Sequence, residues 1–498
     1  MSSFYYKQLA DQLTRQLSDG FYAMDEKLPS IRELSLKQSV SKGTVVRCYE
    51  YLEDNNWVEA REKSGFFPGP RARTAQSHSD HQLKAEPSEE QLAAIRPKIL
   101  DNRSLGLEIV RSAGKKDQVL LGTANPCVNF PGVKRLYQLL KKEVAHEEKA
   151  LSESYISHYQ TPPGAEKLRR QLSKLMAKRE LTIGPDEIII TNGAQSAVSL
   201  ALQAVSHEGD IVLVESPCFY GILQCLEAFE RQVVEIPQAE TGGPDLGLVA
   251  AALEKWPVRA IIVQPTINNP TGRSMEPCHR QQLIRLANRY DIAVIEDDIS
   301  ADLDYRGNAP SPLKAIDTQN RVLYCSSISK TITPKLRLGW LVAGRWQERC
   351  QHLQFVSKMG LPAHTQNALG TWLEAGYMQR HLRLIRRRYR QRQQLFEKIV
   401  TMSWPESVRY QPADGGFLAW IRLPESCDGM ALYQQALREK INITPGTLFG
   451  SDPSNRHHIR VNFGLYQEQP DYLSAIIRLG QLIHKMIDPE ESASRQKT

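Results

Sequence analysis

Val322-Leu323-Tyr324-Cys325-Ser326-Ser327-Ile328-Ser329-Lys330-Thr331 is the stretch on which the reading of this 498-residue chain turns. Its apolar start is strand-like, and its end sets a lysine among hydroxyls. Arg337-Leu338-Gly339-Trp340 follows, so an arginine stands seven residues beyond the lysine. That combination suits pyridoxal phosphate. The lysine amine forms a Schiff base with the aldehyde, and the hydroxyls and the arginine take the phosphate.

Further strands are expected on either side of this stretch. Asp186 to Thr191, Ile211 to Glu215, Ala260 to Gln264 and Ile292 to Asp297 are apolar runs, each followed by a helical pattern. Alternating strands and helices predict a mostly parallel sheet covered on both faces. Several strand ends carry chemistry. Asn192-Gly193-Ala194-Gln195 turns from a strand into a helix whose free N–H groups suit an anion. Ile292 to Glu296 delivers Asp297 and Asp298, and a carboxylate there can pair with a protonated pyridine nitrogen. Asn268-Asn269-Pro270-Thr271-Gly272 is a turn after a strand. Ile459-Arg460-Val461-Asn462-Phe463-Gly464 puts an arginine, whose fork matches a carboxylate, on a late strand.

In this order the segments resemble the fold-type I pyridoxal phosphate aminotransferases, from about Gln118 to the end of the folded chain. The resemblance implies an α/β large domain with a mostly parallel sheet and a small α+β C-terminal subdomain. It assigns Lys330 to the Schiff base, Asp297 to the pyridine nitrogen and Asn269 to the ring hydroxyl. Gly193, Ala194, Gln195, Ser327, Ser329 and Arg337 become the phosphate cup. Phe219 stacks on the ring, and Arg460 clamps a substrate or effector carboxylate. Tyr159 matches a tyrosine that reaches the phosphate of the neighbouring subunit, which implies a homodimer. One position departs from the family: Ser300 stands where relatives carry a tyrosine bonded to the ring hydroxyl. A serine is too short for that bond, so the resemblance leaves catalytic turnover open.

The other end of the chain is a different module. Leu28-Pro29-Ser30-Ile31-Arg32-Glu33-Leu34 opens a helix with Ser30 as N-cap and Glu33 completing a capping box. Ser41-Lys42-Gly43-Thr44 opens the next, which continues through Arg47 to Leu52. Two short helices joined by a tight turn form a helix-turn-helix. Trp57 to Ala60 and Ser64 to Phe67 suit a small hairpin, the wing. These residues resemble the GntR-type winged helix-turn-helix, which implies DNA contacts from Ser30, Arg32, Lys42, Thr44 and Arg47, with Gly65 shaping the wing. Residues 1 to 70 hold nine Lys/Arg and ten Asp/Glu, so bulk charge does not carry that reading.

The totals exclude other classes. Lys+Arg 63 against Asp+Glu 56 leaves a modest net charge of +7. The eight cysteines have no CxxC spacing, so reduced thiols in a cytoplasmic protein are expected, with no metal site. No apolar run is long enough to cross a membrane. The arginine run from Arg380 to Arg392 is interleaved with apolar residues and reads as a solvated or subunit-packing face.

The expected layout is a DNA-binding domain over 1–69, a linker over 70–117 with one short helix near Glu89 to Ile95, the pyridoxal phosphate domain over 118–488 and a disordered tail over 489–498. Together the parts resemble the MocR family of transcription regulators. The resemblance implies a sensor that binds promoter DNA and responds to pyridoxal phosphate itself or to an amino acid or amine. Two alternatives stay open: an active aminotransferase with a DNA module attached, and a DNA-binding protein whose large domain is only a dimerisation scaffold.

Overall fold

The computed structural model describes residues 6–488 except 8, 12, 15–16, 18–21, 23–26, 39, 62–63, 75–87, 101–104, 113–116, 151–157, 241 and 467. The tail expected over 489–498 lies outside the described residues.

In the amino-terminal module, helices Ile31–Gln38 and Lys42–Asp54 precede the antiparallel hairpin Val58–Arg61 with Gly65–Pro68. The capping box forms: Glu33 N–H donates to Ser30 Oγ at 3.2 Å, and Ser30 N–H donates to Glu33 Oε2 at 2.8 Å. Backbone donation from Ser30, then its hydroxyl, holds the Glu33 carboxyl below its ordinary range. Val45, Cys48, Tyr49 and Leu52 face inward from the second helix, as a 3.6-residue period requires. Tyr49 stacks on Phe66 of the hairpin with centroids 4.1 Å apart and donates to the Pro29 carbonyl at 2.5 Å. One residue therefore ties both helices and the wing together.

The large domain centres on a seven-stranded sheet. Its spatial order is Ile188–Thr191, Gly339–Val342, Val322–Ser327, Ala293–Asp297, Val258–Val263, Ile211–Ser216 and Gln232–Pro237. Gly339–Val342 runs antiparallel to both neighbours, and the other strands run parallel to one another. The five strands expected from the sequence all form. Gln232–Pro237 and Gly339–Val342 are additional. Both lie in short runs that lack the strand-then-helix signal used to find the others. A second, antiparallel sheet orders Arg409–Tyr410, Leu418–Arg422, His458–Asn462 and Thr444–Pro445. Val119–Leu120 pairs in parallel with Ile441–Asn442 beside it.

Within the stretch expected as a linker, the part from Ile95 to Leu100 is docked on the large domain. Glu89–Ala94 is a helix with a complete capping box at Ser88 and Gln91. Lys98 exchanges backbone hydrogen bonds of 3.0 and 2.8 Å with Val233 at the sheet edge. Ile95 and Leu100 are buried in the cores on the two sides of the sheet. Apolar side chains in an otherwise polar stretch find the sheet edge and dock there.

The arginine run divides between packing and solvent. Arg388 lies 4.3 Å over the Phe130 ring, and Arg392 is buried and bonded to Gly464 and Glu468. Arg383, Arg387 and Arg390 are exposed.

Candidate cofactor site and DNA-binding module

Parallel strands end on one edge of a sheet, so the loops that follow them converge there. Thr191, Val263, Asp297 and Ser327 are the last residues of four such strands. Gly339 begins the antiparallel strand at the same edge, paired with both Thr191 and Ser327. This brings Arg337, just before it, to the loops that carry Gly193, Asn269 and Lys330. A Cβ on Gly339 would come within 2.6 Å of the Gly193 carbonyl carbon, so only glycine permits that approach.

A cavity of about 210 Å³ opens at this edge. Ala194, Gln195, Phe219, Asn269, Asp297, Ser329, Lys330 and Arg337 line it, with Ser300 among them. Gly193 and Ser327 do not line it, but Gly193 adjoins Ala194 in the chain and Ser327 is bonded to Ser329. Gly193 has φ +80° and is the uncapped N-cap of helix Ala194–Val205. A Cβ there would lie 2.9 Å from the Arg337 guanidinium. Arg337 is fixed by a 3.1 Å bond from Nη2 to the Asn192 carbonyl. Ser327 Oγ accepts from Ser329 N–H at 3.1 Å, while Ser329 Oγ is buried with no partner. An open helix N-terminus, an arginine and an unpaired hydroxyl fit a phosphate. The residues present fit pyridoxal phosphate.

Electrostatics at the reacting end point the same way. Lys330 is drawn down to about 8, first by burial and then by the Arg460 and Arg337 charges, against the pull of Asp297. Asp297 is pushed up to about 7, first by burial and also by the Asp298 charge, against the Ile299 N–H and Lys330. A buried carboxyl in that state is ready for a cationic partner such as a protonated ring nitrogen. Asp298 is fully buried and neutralised by Arg179, and Tyr324 donates to it at 2.8 Å.

Two expected residues sit differently. Arg460 is 1 % exposed and does not line the cavity. Its Nη1 donates to Asn269 Oδ1 at 2.9 Å and its Nη2 to the Gly122 carbonyl at 2.7 Å. The expected carboxylate clamp is already holding a backbone carbonyl. Tyr159 is 74 % exposed and outside the cavity of its own protomer.

The sequence did not reveal the strap Gly122-Thr123-Ala124-Asn125. Thr444 Oγ1 donates to Gly122 at 2.6 Å, and Asn462 Nδ2 donates to Thr123 and Asn125 at 2.7 and 2.9 Å. Lys330 Nζ donates to Ala124 at 2.8 Å. The strap has no periodic signature. The only clue was a polar Asn462 at the end of an apolar strand.

In the amino-terminal module, Arg32, Lys42 and Arg47 are exposed. Thr44 is half-buried, and its hydroxyl lies 2.8 Å from that of Ser41, the N-cap. Thr44 and Arg47, three residues apart, share one helix face. Ser30 is engaged in the capping box through its N–H and as an acceptor at Oγ. Gly65 has φ +107° at the wing, a conformation that favours glycine.

Comparison with known proteins agrees with both halves. Residues 118–477 match the model of aminotransferase class I and II, and residues 5–67 match bacterial regulatory proteins of the gntR family. The HTH-type transcriptional regulators YjiR and YdcR of Escherichia coli are each 32 % identical over 486 residues, covering 97 % of this chain and 99 % of theirs. The chain belongs to the MocR-type transcriptional regulators. Like the rest of that family, it joins a GntR helix-turn-helix to a pyridoxal phosphate aminotransferase fold. The kynurenine aminotransferase of Pyrococcus horikoshii matches 83 % of this chain and all of its own, with TM-score 0.70 and 25 % identity. A multiple substrate aminotransferase from Thermococcus profundus matches 78 % of this chain with TM-score 0.69 and 24 % identity, which shows the fold. No helix among the described residues is long and apolar enough to cross a membrane.

Proposed function

We propose that this MocR-type regulator works in the cytoplasm as a homodimer whose promoter binding is set by events at Lys330. Those events are the arrival of pyridoxal phosphate and the approach of an amino acid or amine to it. Bound there, the cofactor supplies an aldehyde that exchanges one amine for another. Asp297 would hold its ring nitrogen, Phe219 its ring and Asn269 its ring hydroxyl. Gly193, Ala194, Gln195, Ser327, Ser329 and Arg337 hold its phosphate. Tyr159 of each protomer serves the site of the other, in keeping with its exposure here.

The observation that carries this reading is the strap. It follows the DNA-binding module and the docked segment in the chain, and both ligand-handling residues grip it. Lys330 holds Ala124, and Arg460 holds Gly122. When the lysine joins the cofactor it gives up Ala124, and a carboxylate at Arg460 competes with Gly122. Each ligand then favours a different strap arrangement, which is the differential free energy a regulatory response needs.

Arg32, Lys42, Thr44 and Arg47 take the operator, with Lys42 and the arginines suited to phosphates and base edges. The complete set of Lys330, Asp297 and Asn269 also favours a second reading, an active aminotransferase. Ser300 at the ring hydroxyl weighs against it.

The test is operator affinity of the purified protein with and without pyridoxal phosphate, beside Lys330→Ala. A cofactor-dependent change of several-fold, absent in the variant, is expected. Equal affinities in all four cases would sink the reading. Steady turnover of an amino acid with a keto acid, abolished in the variant, would favour the enzyme instead.

A further inference from the structure

The cavity at Lys330 has few charges to spare. Among the described residues that line it, the charged ones are Asp297, Lys330 and Arg337. Under the proposed function each has a duty toward the cofactor. Arg337 is tied to the Asn192 carbonyl beside Gly193, so it stays at the phosphate cup. Only Arg460 remains for an incoming ligand, behind Asn269. Its Nε is buried without a partner, and one Nη holds a displaceable carbonyl. That is enough for one carboxylate.

The rest of the wall is largely apolar. Ile222, Ile267, Ile299, Leu303, Phe417 and Leu418 contribute to it. Ile267 stands out because its φ is +52°. A β-branched residue there is strained, and such strain persists where the surroundings hold it for a purpose. Its N–H donates to Ser274 Oγ at 3.1 Å. Its Cδ1 fills the space that a Cβ on Gly415 would need, at 2.5 Å. The backbone is bent, and a glycine placed opposite, to keep an aliphatic surface in the cavity.

We propose that the small molecule reaching Lys330 is an α-amino acid with one carboxylate and an uncharged apolar side chain. This rests on the cofactor-sensor reading above and names the ligand class of that site. A second carboxylate or ammonium would lose its hydration against this wall with no counter-ion to replace it. A leucine-sized side chain gains over alanine by burial, about tenfold or more in affinity.

The experiment titrates the full-length chain, loaded with pyridoxal phosphate, with leucine, alanine, glutamate and lysine. The visible absorbance of the bound cofactor is the readout. Leucine is expected to perturb the band at concentrations at least about tenfold below the other three. Leu418→Arg should reverse the order of leucine and glutamate. Ile267→Gln, read in the same titration, should weaken leucine without that reversal. Glutamate or lysine acting at or below the leucine concentration in the unmodified protein overturns the proposal. So does a normal band that no amino acid perturbs, which leaves the cofactor assignment standing. If no band forms on adding the cofactor, the cofactor assignment itself falls.

Discussion

Lys330 Nζ donates a 2.8 Å hydrogen bond to the carbonyl of Ala124. Under the proposed function the same nitrogen takes the cofactor, and it cannot serve both. The strap around Ala124 is therefore a competitor inside the site. Asn462 is its independent staple, gripping Thr123 and Asn125 with one amide and donating its backbone N–H to the Leu121 carbonyl at 2.6 Å. A two-state strap needs a lock that cofactor chemistry can tip but does not remove.

Asn462→Ala should loosen that lock. Cofactor absorbance should persist, because Asn462 does not line the cavity. Amide exchange over residues 119–128 should become fast with or without cofactor. The difference in operator affinity between the two states should shrink by several-fold. Unchanged exchange and an unchanged affinity difference would show that the strap does not transmit anything.

Cofactor loading should depend on pH in a defined direction. Only the neutral amine attacks an aldehyde, and burial beside Arg460 and Arg337 draws Lys330 down to about 8. The rate of uptake should therefore rise as pH increases through about 8 and level off above it. An ordinary lysine would keep gaining up to about 10.4. Stopped-flow absorbance from pH 6.5 to 10 distinguishes the two curves. In the cofactor-free protein the same shift means that stability contributed by Lys330 rises with pH between the folded and unfolded values, because there the unfolded state holds the extra proton.

How much of this was legible in the sequence follows from where each signal resides. Asp297 ends a strand, and Gly193 and Lys330 stand two and three residues beyond strand ends, which are marked by an apolar run meeting polar or glycine residues. That pattern survives in one dimension. Arg460 was equally visible as a residue, but its partners lie 191 and 338 positions away, so its engagement with Asn269 and Gly122 was not. The strap shows its role only through backbone carbonyls, which every residue has. The docked segment at Ile95 to Leu100 was masked by the polar residues around it. Ile267 gave no warning at all, because a β-branched residue is the last one that sequence rules place in a left-handed turn.

The ion pair of Arg179 with Asp298 should be structurally expensive to break from one side. Asp298 is fully buried, and the Arg179 side chain is 17 % exposed. Arg179→Ala leaves a buried carboxylate next to Asp297 that keeps the Tyr324 hydroxyl and the more distant Arg280 charge. A loss of roughly 3–5 kcal/mol is expected, visible as a lower thermal midpoint. The double variant Arg179→Met with Asp298→Leu should recover much of it, since no charge is then stranded. If Arg179→Ala melts like the parent, the pair is not buried as the geometry has it.

Gly193→Ala tests the phosphate cup. The residue sits at φ +80°, and the added Cβ would press within 2.9 Å of Arg337. Strain of the left-handed conformation adds about 1 kcal/mol or more. Cofactor retention on dialysis should fall sharply, while Arg32, Lys42 and Arg47 still bind operator at the cofactor-free level. Retention equal to the parent would move the phosphate elsewhere in the cavity.

Arg47→Ala tests the other end of the chain. Arg47 is exposed on the same helix face as Thr44, and the helix packs inward through Val45, Cys48, Tyr49 and Leu52. Truncating it removes no core contact, so the fold and the cofactor absorbance should be intact. If Arg47 reads a base edge, operator affinity drops by about 1–3 kcal/mol with relaxed preference at one position. If it meets a phosphate, affinity drops across all sequences, and the slope of log affinity against log salt loses about one unit. Measuring binding at two salt concentrations on operator and unrelated DNA separates these outcomes. Loss of DNA binding together with cofactor absorbance would mean that the two modules do not fold independently.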